Sequence, residues 1–592
     1  MSVRLRSEPS SILSIHYVFK FCFRSNDDDK IEFTLATLGL LMKIILPLVF
    51  SIFLLKTSAQ TVGFFYNNPG SLPGYVLFAP GGSDSTYLID KCGKRIHTWH
   101  SNYDPGLSVH LNSDGSLLRC GNVNNPFFTS GGAGGILEKF DWNSGLMWSY
   151  MISDMQQCQH HDAIQLPNGN ALAIVWQEYS KNEAIAQGRN PATVGDQMWS
   201  DKLVEIQPVG NDSGVIVWQW NAWDHLIQDF DSTKENYGVV ASHPELINVN
   251  AGDENMQGDW LHCNSIDYNS HLDQILISCH NMNEVWIIDH STTTAEAASH
   301  NGGLSGKGGD LLYRWGNPQV YGRGTASDQK FFGQHDATWI PAGMAGEGKI
   351  LVFNNGLDRP SGNYTSVETF TPPAMVNNNY PIYDTDAYAP SNQDWVYEAF
   401  PATSFYTQVE GGAQRLDNGN TLICDATKGI FFEVDSLGNN DWKYVNPVGI
   451  NGITIQGEQP LGNVSFRCTF LPPDYAGLQG QILIPGAPIE LNPINYFCNS
   501  FPLLAEDLSD SVILIHPDPF HEDFSFDLPV QLNHASISVH DAMGRLLYEE
   551  QDATIQSNTS HSVHVKGCTG LLLLTVLDED GKIRWNQKLI SQ

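Results

Sequence analysis

Three histidines stand at matched points of a repeating pattern, each followed by a polar residue and then by an apolar segment. They are His161-Asp162 ahead of Leu166-Pro167-Asn168-Gly169, His262-Cys263-Asn264 ahead of Ile266-Asp267-Tyr268, and His335-Asp336 ahead of Trp339-Ile340-Pro341. A lone histidine is most often a hydrogen-bonded loop or core residue, since imidazole is of intermediate burial. Three at corresponding positions of successive repeats instead point to one place. A neutral imidazole can act there as a nucleophile that splits one hard displacement into two easier ones. It can also move a proton as general acid or base, and three imidazoles together would suit a catalytic zinc. Nothing beyond that residue count supports metal: the ten cysteines are scattered, with no Cys-x-x-Cys, no zinc-module spacing and no His-Glu-x-x-His. The expectation is therefore no metal and no cofactor. The glycine-rich run Gly302-Gly303-Leu304-Ser305-Gly306-Lys307-Gly308 falls short of a phosphate-binding loop, because its spacing is too tight and Gly308 replaces the hydroxyl residue.

Short strands must position these histidines. Leu111-Asn112-Ser113-Asp114-Gly115-Ser116-Leu117, Leu166 to Leu172 and Leu416 to Leu422 each set an Asn/Asp-Gly turn between apolar runs, the strongest short-range hairpin signal. A second hairpin with an aromatic strand follows, as at Trp148, Trp218 and Trp442. Each unit supplies about four antiparallel strands that cannot bury both faces alone, so about six units between Gly74 and Pro447 must pack radially as the blades of a β-propeller. The matched histidines then converge where the axis opens. Long insertions at 180–202, 225–258 and 371–394 are where such a fold builds a site.

The composition narrows the function. With 31 Lys+Arg against 65 Asp+Glu, the formal net charge is -34, so a nucleic-acid backbone or an anionic membrane is repelled. Met42-Lys43, the apolar run Ile44 to Leu55 and Thr57-Ser58-Ala59-Gln60 read as a secretory signal peptide over 42–59, with cleavage near Ala59. That run is shorter than the ~20 apolar residues of a membrane span, so no stable transmembrane anchor is expected, and residues 1–41 read as an over-extended start. In an oxidising compartment one or two disulfides, for example through Cys468 or Cys498, compete with buried free thiols. From about 508 to 592 the chain alternates strands and turns, as at Ile513 to Phe520, Ile537 to Arg545 and Gly570 to Leu574. This predicts a small C-terminal β-sandwich. It resembles the C-terminal sorting domain of the type IX secretion system of Bacteroidota, with His516 and Asp518 in place of the usual Tyr and Asn, and Leu572 where an aromatic is expected. Its partner would be that secretion machinery, and the product a secreted or cell-surface protein.

The segments Gly333-Gln334-His335-Asp336-Ala337, Leu351 to Gly356, Asp259 to Asp267, Asn283 to Asp289, Gly411 to Leu416 and Phe466-Arg467 to Glu490 resemble, in order, the bacterial arylsulfotransferase family. The resemblance runs from about Gly74 to Glu490 and implies a propeller domain over 60–500. It also implies transfer of a sulfuryl group from an aryl sulfate ester to a phenol without the nucleotide donor PAPS. On this resemblance His335 is the sulfuryl acceptor in a ping-pong cycle, and His161, His262 and Asn264 hold the sulfuryl oxygens. His280 in Ser278-Cys279-His280-Asn281 stands where the family carries an arginine. A second histidine can give the leaving oxygen its proton and later take one from the acceptor phenol, His161 being the first choice and His262 the next. Phenols have a pKa near ~10 and leave without nucleotide activation. Two rivals remain open: a non-catalytic surface propeller that binds polyphenols or glycans through its Trp-rich loops, and a metal-dependent hydrolase or lyase in the same channel.

Overall fold

The computed structural model describes residues 60–252, 258–494 and 498, and in the C-terminal part 514–516, 520–528, 531–541, 545–556, 559–566, 570–577 and 583–591. The signal peptide and the residues before it lie outside the described residues, as do Pro517-Asp518-Pro519 and Ala542-Met543-Gly544 of the sorting-domain motif.

The fold is all-β and mostly antiparallel, with short helices Lys181–Ala186 and Thr294–Ala297, each started by a capping box. Six antiparallel sheets follow one another, each beginning with a lead strand at one edge. In chain order the lead strands of the second to sixth sheets are Asp104–Leu111, Gln157–Gln165, Cys263–Asn269, His335–Trp339 and Gly412–Arg415. The first sheet takes its lead strand, Ser465–Leu471, from far along the chain, where it pairs with Tyr75–Pro80. The sixth sheet in turn takes a fifth strand, Gly63–Asn67, from the start of the described chain. Each lead strand contacts the next, and Ser465–Leu471 returns to Asp104–Leu111, so the series closes on itself.

Two sequence features recur around this propeller-like ring. The three expected Asn/Asp-Gly turns are present, closed by Asn112 N–H to Ser116 O, Leu166 N–H to Asn170 O and Leu416 N–H to Asn420 O at 2.8, 2.8 and 2.9 Å. Their glycines take φ of +82°, +87° and +86°, a backbone that a side chain would strain. The aromatic outer strands bury tryptophans whose indole N–H groups need acceptors, and each reaches the neighbouring sheet. Trp99 donates to Asp141 O, Trp148 to Ser213 O, Trp218 to Thr292 Oγ1, Trp315 to Pro390 O and Trp442 to Lys91 O, at 2.7–3.1 Å. The lead strands are tied the same way. Backbone N–H groups of Ala163, Ile266, Ala337, Ala413 and Phe470 donate to Ser108, Asp162, Ser265, Asp336 and Gln414 of the preceding lead strand.

The expected insertion at 180–202 ends earlier, because the strand Gln197–Val209 begins inside it. In the C-terminal part, the sheet of Leu514–His516, Asp523–Asp527 and Ser560–His564 and the sheet of Leu532–Asp541, Leu546–Ile555, Gly570–Leu577 and Ile583–Ser591 share one apolar core. Phe524, Phe526 and Val563 meet Ile537, Val539 and Leu574 there. Cys498 forms a disulfide with Cys92, whereas Cys468 is a buried free thiol. Among the described residues, no helix is long and apolar enough to cross a membrane.

Candidate active site

The lead strands of the third, fourth and fifth sheets are irregular where the histidines sit. Strand pairing shifts register opposite His160 to Asp162, at Asn264, and at Asp336 to Ala337. His161, His262 and Asp336 take φ of +53°, +52° and +52°. A bulge of this kind re-aims a side chain, and left-handed backbone at a non-glycine residue persists only where its surroundings over-determine it. The result is a row of imidazoles. Ring centroids are 4.6 Å apart from His161 to His262, 5.2 Å from His262 to His280 and 5.5 Å from His280 to His335. All four expected histidines are therefore brought together, His280 arriving from the end of the strand Gln274–Cys279.

His335 is 2% exposed and its tautomer is dictated by its neighbours. Asn355 Nδ2 donates to Thr407 O and Glu410 O at 2.9 and 2.8 Å, which turns Asn355 Oδ1 toward the ring. His335 Nδ1–H donates to that oxygen at 2.9 Å and to Gly333 O at 3.2 Å. The lone pair is then on Nε2, which meets only the Glu410 backbone N–H at 3.2 Å. Burial, with the neighbouring His280 and His262 and the Arg467 guanidinium, holds the His335 pKa well below the usual imidazole range. At neutral pH Nε2 is an unprotonated nitrogen.

The other imidazoles have different supports. His262 Nδ1–H donates to Asp259 Oδ2 at 2.5 Å, and the same carboxylate accepts from Trp176 Nε1 at 3.0 Å. Burial pushes the Asp259 carboxyl up, but His262 outweighs it and keeps the group below the usual carboxylate range. The His262 side chain is 18% exposed, whereas His161 and His335 are each 2% exposed. His161 Nδ1 lies 2.8 Å from His160 Nδ1, and His160 Nε2 lies 2.8 Å from Asp201 Oδ1. Burial and the nearby His262 hold His161 well below the usual imidazole range, while burial pushes Asp201 well above the usual carboxylate range. Gly132 packs against the His161 ring so closely that an added Cβ would lie 1.9 Å from Cε1, so no other residue fits there. His280, its Nδ1 2.8 Å from Asn281 Oδ1, is pushed down to about 4 by burial and by His262. Asn264 is fully buried, and its Nδ2 donates to Gln334 O at 2.8 Å, bracing the peptide just before His335.

Arg467 joins the parts. From the first sheet it donates through Nη1 to Asp162 Oδ2 at 2.7 Å and through Nη2 to Asn264 O at 2.8 Å, and its Nε lies 2.9 Å from Asp336 Oδ1. The two acids that follow His161 and His335 in sequence thus meet on one guanidinium. Burial pushes the Asp162 carboxyl up, but Arg467 and His110 outweigh it and hold it far below its ordinary value. Burial keeps Asp336 somewhat raised. Beside His335, burial pushes the Glu410 carboxyl up to about 7. Sequence spacing signals none of the roles of Asn355, Asp259, His160 or Glu410. Asp162, Asp336 and Arg467 sit inside recognisable motifs, but their convergence does not show there.

Residues 81–461 match the family model described as arylsulfotransferase (ASST). No curated protein matches the chain. Among solved structures, a protein of unknown function from Bacteroides caccae is 11% identical, covering 67% of this chain and 99% of that chain at a TM-score of 0.36. A protein from Lactobacillus plantarum is 8% identical, covering 83% and 100% at 0.31. Apo AztD from Citrobacter koseri is 8% identical, covering 68% and 98% at 0.30.

Proposed function

The chain belongs to the arylsulfotransferase family, and on that premise we propose that it moves a sulfuryl group from an aryl sulfate ester to a phenolic acceptor through a sulfohistidine on Nε2 of His335, without PAPS. The observation that carries the reading is the tautomer of His335: a buried imidazole with its proton held on Nδ1 by Asn355 and Gly333, and its lone pair on Nε2, where it meets the Glu410 backbone N–H.

In the first half-reaction the Nε2 lone pair attacks sulfur, the N–S bond forms, and the S–O(aryl) bond breaks with its electron pair leaving on the phenolate. Positive charge develops on the ring, and the oxygens of Asn355 and Gly333 face the Nδ1–H that shares it. The leaving oxygen takes a proton from His262, whose imidazolium the Asp259 carboxylate stabilises. This reverses the order expected from sequence, which put His161 first: His161 is 2% exposed and its burial opposes the charged form. His161 instead lies beside His262 as a neutral partner for the sulfuryl oxygens. Asn264 acts through the peptide it braces, and His280 supplies a neutral ring where the family has arginine. In the second half-reaction His262 takes the acceptor phenol's proton as its oxygen attacks sulfur, and the N–S bond breaks.

Around this site the six sheets serve as the blades of a six-bladed propeller spanning 60–500. Export through the signal peptide at 42–59 and a β-sandwich sorting domain over 508–592, recognised by the type IX secretion machinery, would deliver it to the cell surface or medium.

The exported protein, its N-terminus sequenced to check cleavage near Ala59, is mixed with a chromogenic aryl sulfate at stoichiometric amounts and no acceptor. It should release up to one equivalent of phenol and gain one sulfuryl mass on the peptide containing His335. His335→Asn should fold and lose both half-reactions. Turnover by that variant, or a sulfuryl mass elsewhere, rules the assignment out.

A further inference from the structure

Away from the imidazole row, three more ligating side chains meet at the outer edge of the third and fourth sheets. His225 closes the turn Ala222–His225 after the outer strand Ser213–Asn221, Asp310 precedes the outer strand Tyr313–Trp315, and His300 lies between the helix Thr294–Ala297 and Asp310. Both imidazoles approach the same carboxylate oxygen: His225 Nδ1 is 2.9 Å and His300 Nδ1 2.7 Å from Asp310 Oδ1. These three ligand atoms all lie within 4.8 Å of one another.

The far side of His225 decides what that approach means. Its Nε2 is 2.8 Å from Ala297 O, and a carbonyl only accepts, so Nε2 carries the proton. Nδ1 and Asp310 Oδ1 then face each other in a buried position, where a cation can be shared between them. Donation of the second ring N–H to a backbone carbonyl is also the arrangement that fixes the tautomer of metal-bound histidines. Trp220 stacks parallel to the His225 ring and donates to Gly309 O, and an added Cβ on Gly309 would come within 2.6 Å of His225 Nε2. The imidazole is thus held on its face, its edge and its far nitrogen, with Nδ1 left for a ligand.

We propose that His225, His300 and Asp310 bind one divalent transition-metal ion, zinc by its suitability for two imidazoles and a carboxylate, and that this ion pins together the edges of two neighbouring sheets. Zinc bonds of about 2.0–2.1 Å set tetrahedral ligand atoms about 3.3 Å apart, so each nitrogen needs to draw back from Asp310 Oδ1 by about half an ångström. The His300 side chain, 60% exposed, can make that adjustment. It also borders a polar cleft of about 580 Å³ lined by Asp224, Lys234, Glu235 and His243, from which water can fill the fourth position. The ion lies outside the sulfuryl reaction, and metal content reads it independently of activity.

The test uses the full exported chain, produced without a histidine tag, stripped with chelator and titrated with zinc alone. Calorimetry and elemental analysis should find one ion per chain lost in the variants, and the melting temperature should rise on zinc addition. His300→Gln, at an exposed position, should keep the fold and weaken that binding by about 100-fold or more, beyond the cost of losing an outer-shell partner. Asp310→Asn should do the same and abolish the thermal shift. If the stripped protein takes up no zinc at micromolar concentration, or if both variants bind as the wild type does, the cluster is held by protons and the proposal is overturned.

Discussion

Replacing Asn355 by aspartate changes one atom's chemistry at the point that sets the tautomer of the proposed nucleophile. In the wild type, a neutral amide oxygen accepts from His335 Nδ1–H at 2.9 Å, and the ring stays unprotonated because burial and its neighbours hold its pKa well below the usual range. A carboxylate there keeps the same tautomer but favours the doubly protonated ring. Two unit charges about 4 Å apart at an effective dielectric near 20 attract by about 4 kcal/mol, about three pKa units at ~1.36 kcal/mol each. The new carboxylate's own burial, and the Thr407 and Glu410 carbonyls that Asn355 Nδ2 satisfies in the wild type, take back part of that, leaving a net rise of about one to two units for an acid beside a base. The sign is fixed: the protonated imidazole is no nucleophile, so activity is lost below the raised pKa and retained above it. The assay is single-turnover phenol release from an aryl sulfate across pH 5 to 9, with kcat/KM reporting the free enzyme. Asn355→Asp should move the acid limb of kcat/KM upward by about one to two units, with a plateau within about tenfold of wild type at alkaline pH. An unshifted limb in a folded variant, or an equal loss at every pH, would mean that His335 Nε2 is not the attacking atom.

Arg467→Met leaves Asp162 and Asp336 buried without their shared cation, and breaking a buried pair costs about 3–5 kcal/mol; thermal and denaturant unfolding should show that loss. In the wild type, Asp162 is depressed, so its contribution is present above the unfolded pKa near ~4 and fades only in stronger acid, whereas in the variant both acids are raised, so the variant should gain more stability than the wild type as pH falls from 7 to 5; an equal gain in both proteins would contradict the clamp. His280→Arg replaces a ring pushed down to about 4 with a permanent planar donor. It should lower the KM for aryl sulfate by about fivefold, the difference between a neutral and a charged hydrogen bond, with little change in kcat; an unchanged KM would mean that position 280 does not face the sulfuryl group.

The hairpins and the histidines were legible because their signals are local. An Asn/Asp-Gly turn needs only its own few residues, and a histidine ahead of a strand marks the same point in each sheet whatever the rest of the chain does. His161, His262 and His335 fall at strand irregularities that share one backbone feature, the left-handed residue, and no composition or period encodes it. The supports were not legible for a different reason. Asn355 reaches His335 across the hairpin of its own sheet, His160 needs Asp201 from two strands away, and Arg467 reaches an aspartate 305 residues earlier. The Arg467 contact exists only once the first sheet borrows its lead strand from the far end of the series. The disulfide follows the same rule: Cys498 was a visible candidate, but its partner, Cys92, is 406 residues away.

Ring closure also bears on how the imidazole row works. A row of buried imidazoles lowers the pKa of each member, since burial opposes the charged form and each protonation opposes the next. That arrangement suits a nucleophile and a neutral lining, but by itself it would leave no acid for the departing phenolate. The exception is His262, which faces a carboxylate that Trp176 from the neighbouring sheet also holds. At the other end, His335 faces an amide, which accepts the same Nδ1 proton without adding a charge. On the proposed mechanism, carboxylate behind one ring and amide behind the other is the chemical difference that would separate proton donor from nucleophile in otherwise similar histidines. Asp162 and Asp336, which follow two of the row's histidines in sequence, are kept from either role by Arg467, which binds both. Their charge is spent on aligning lead strands of different sheets, and the Nε2 of His335 stays unprotonated, with its tautomer fixed by an uncharged partner.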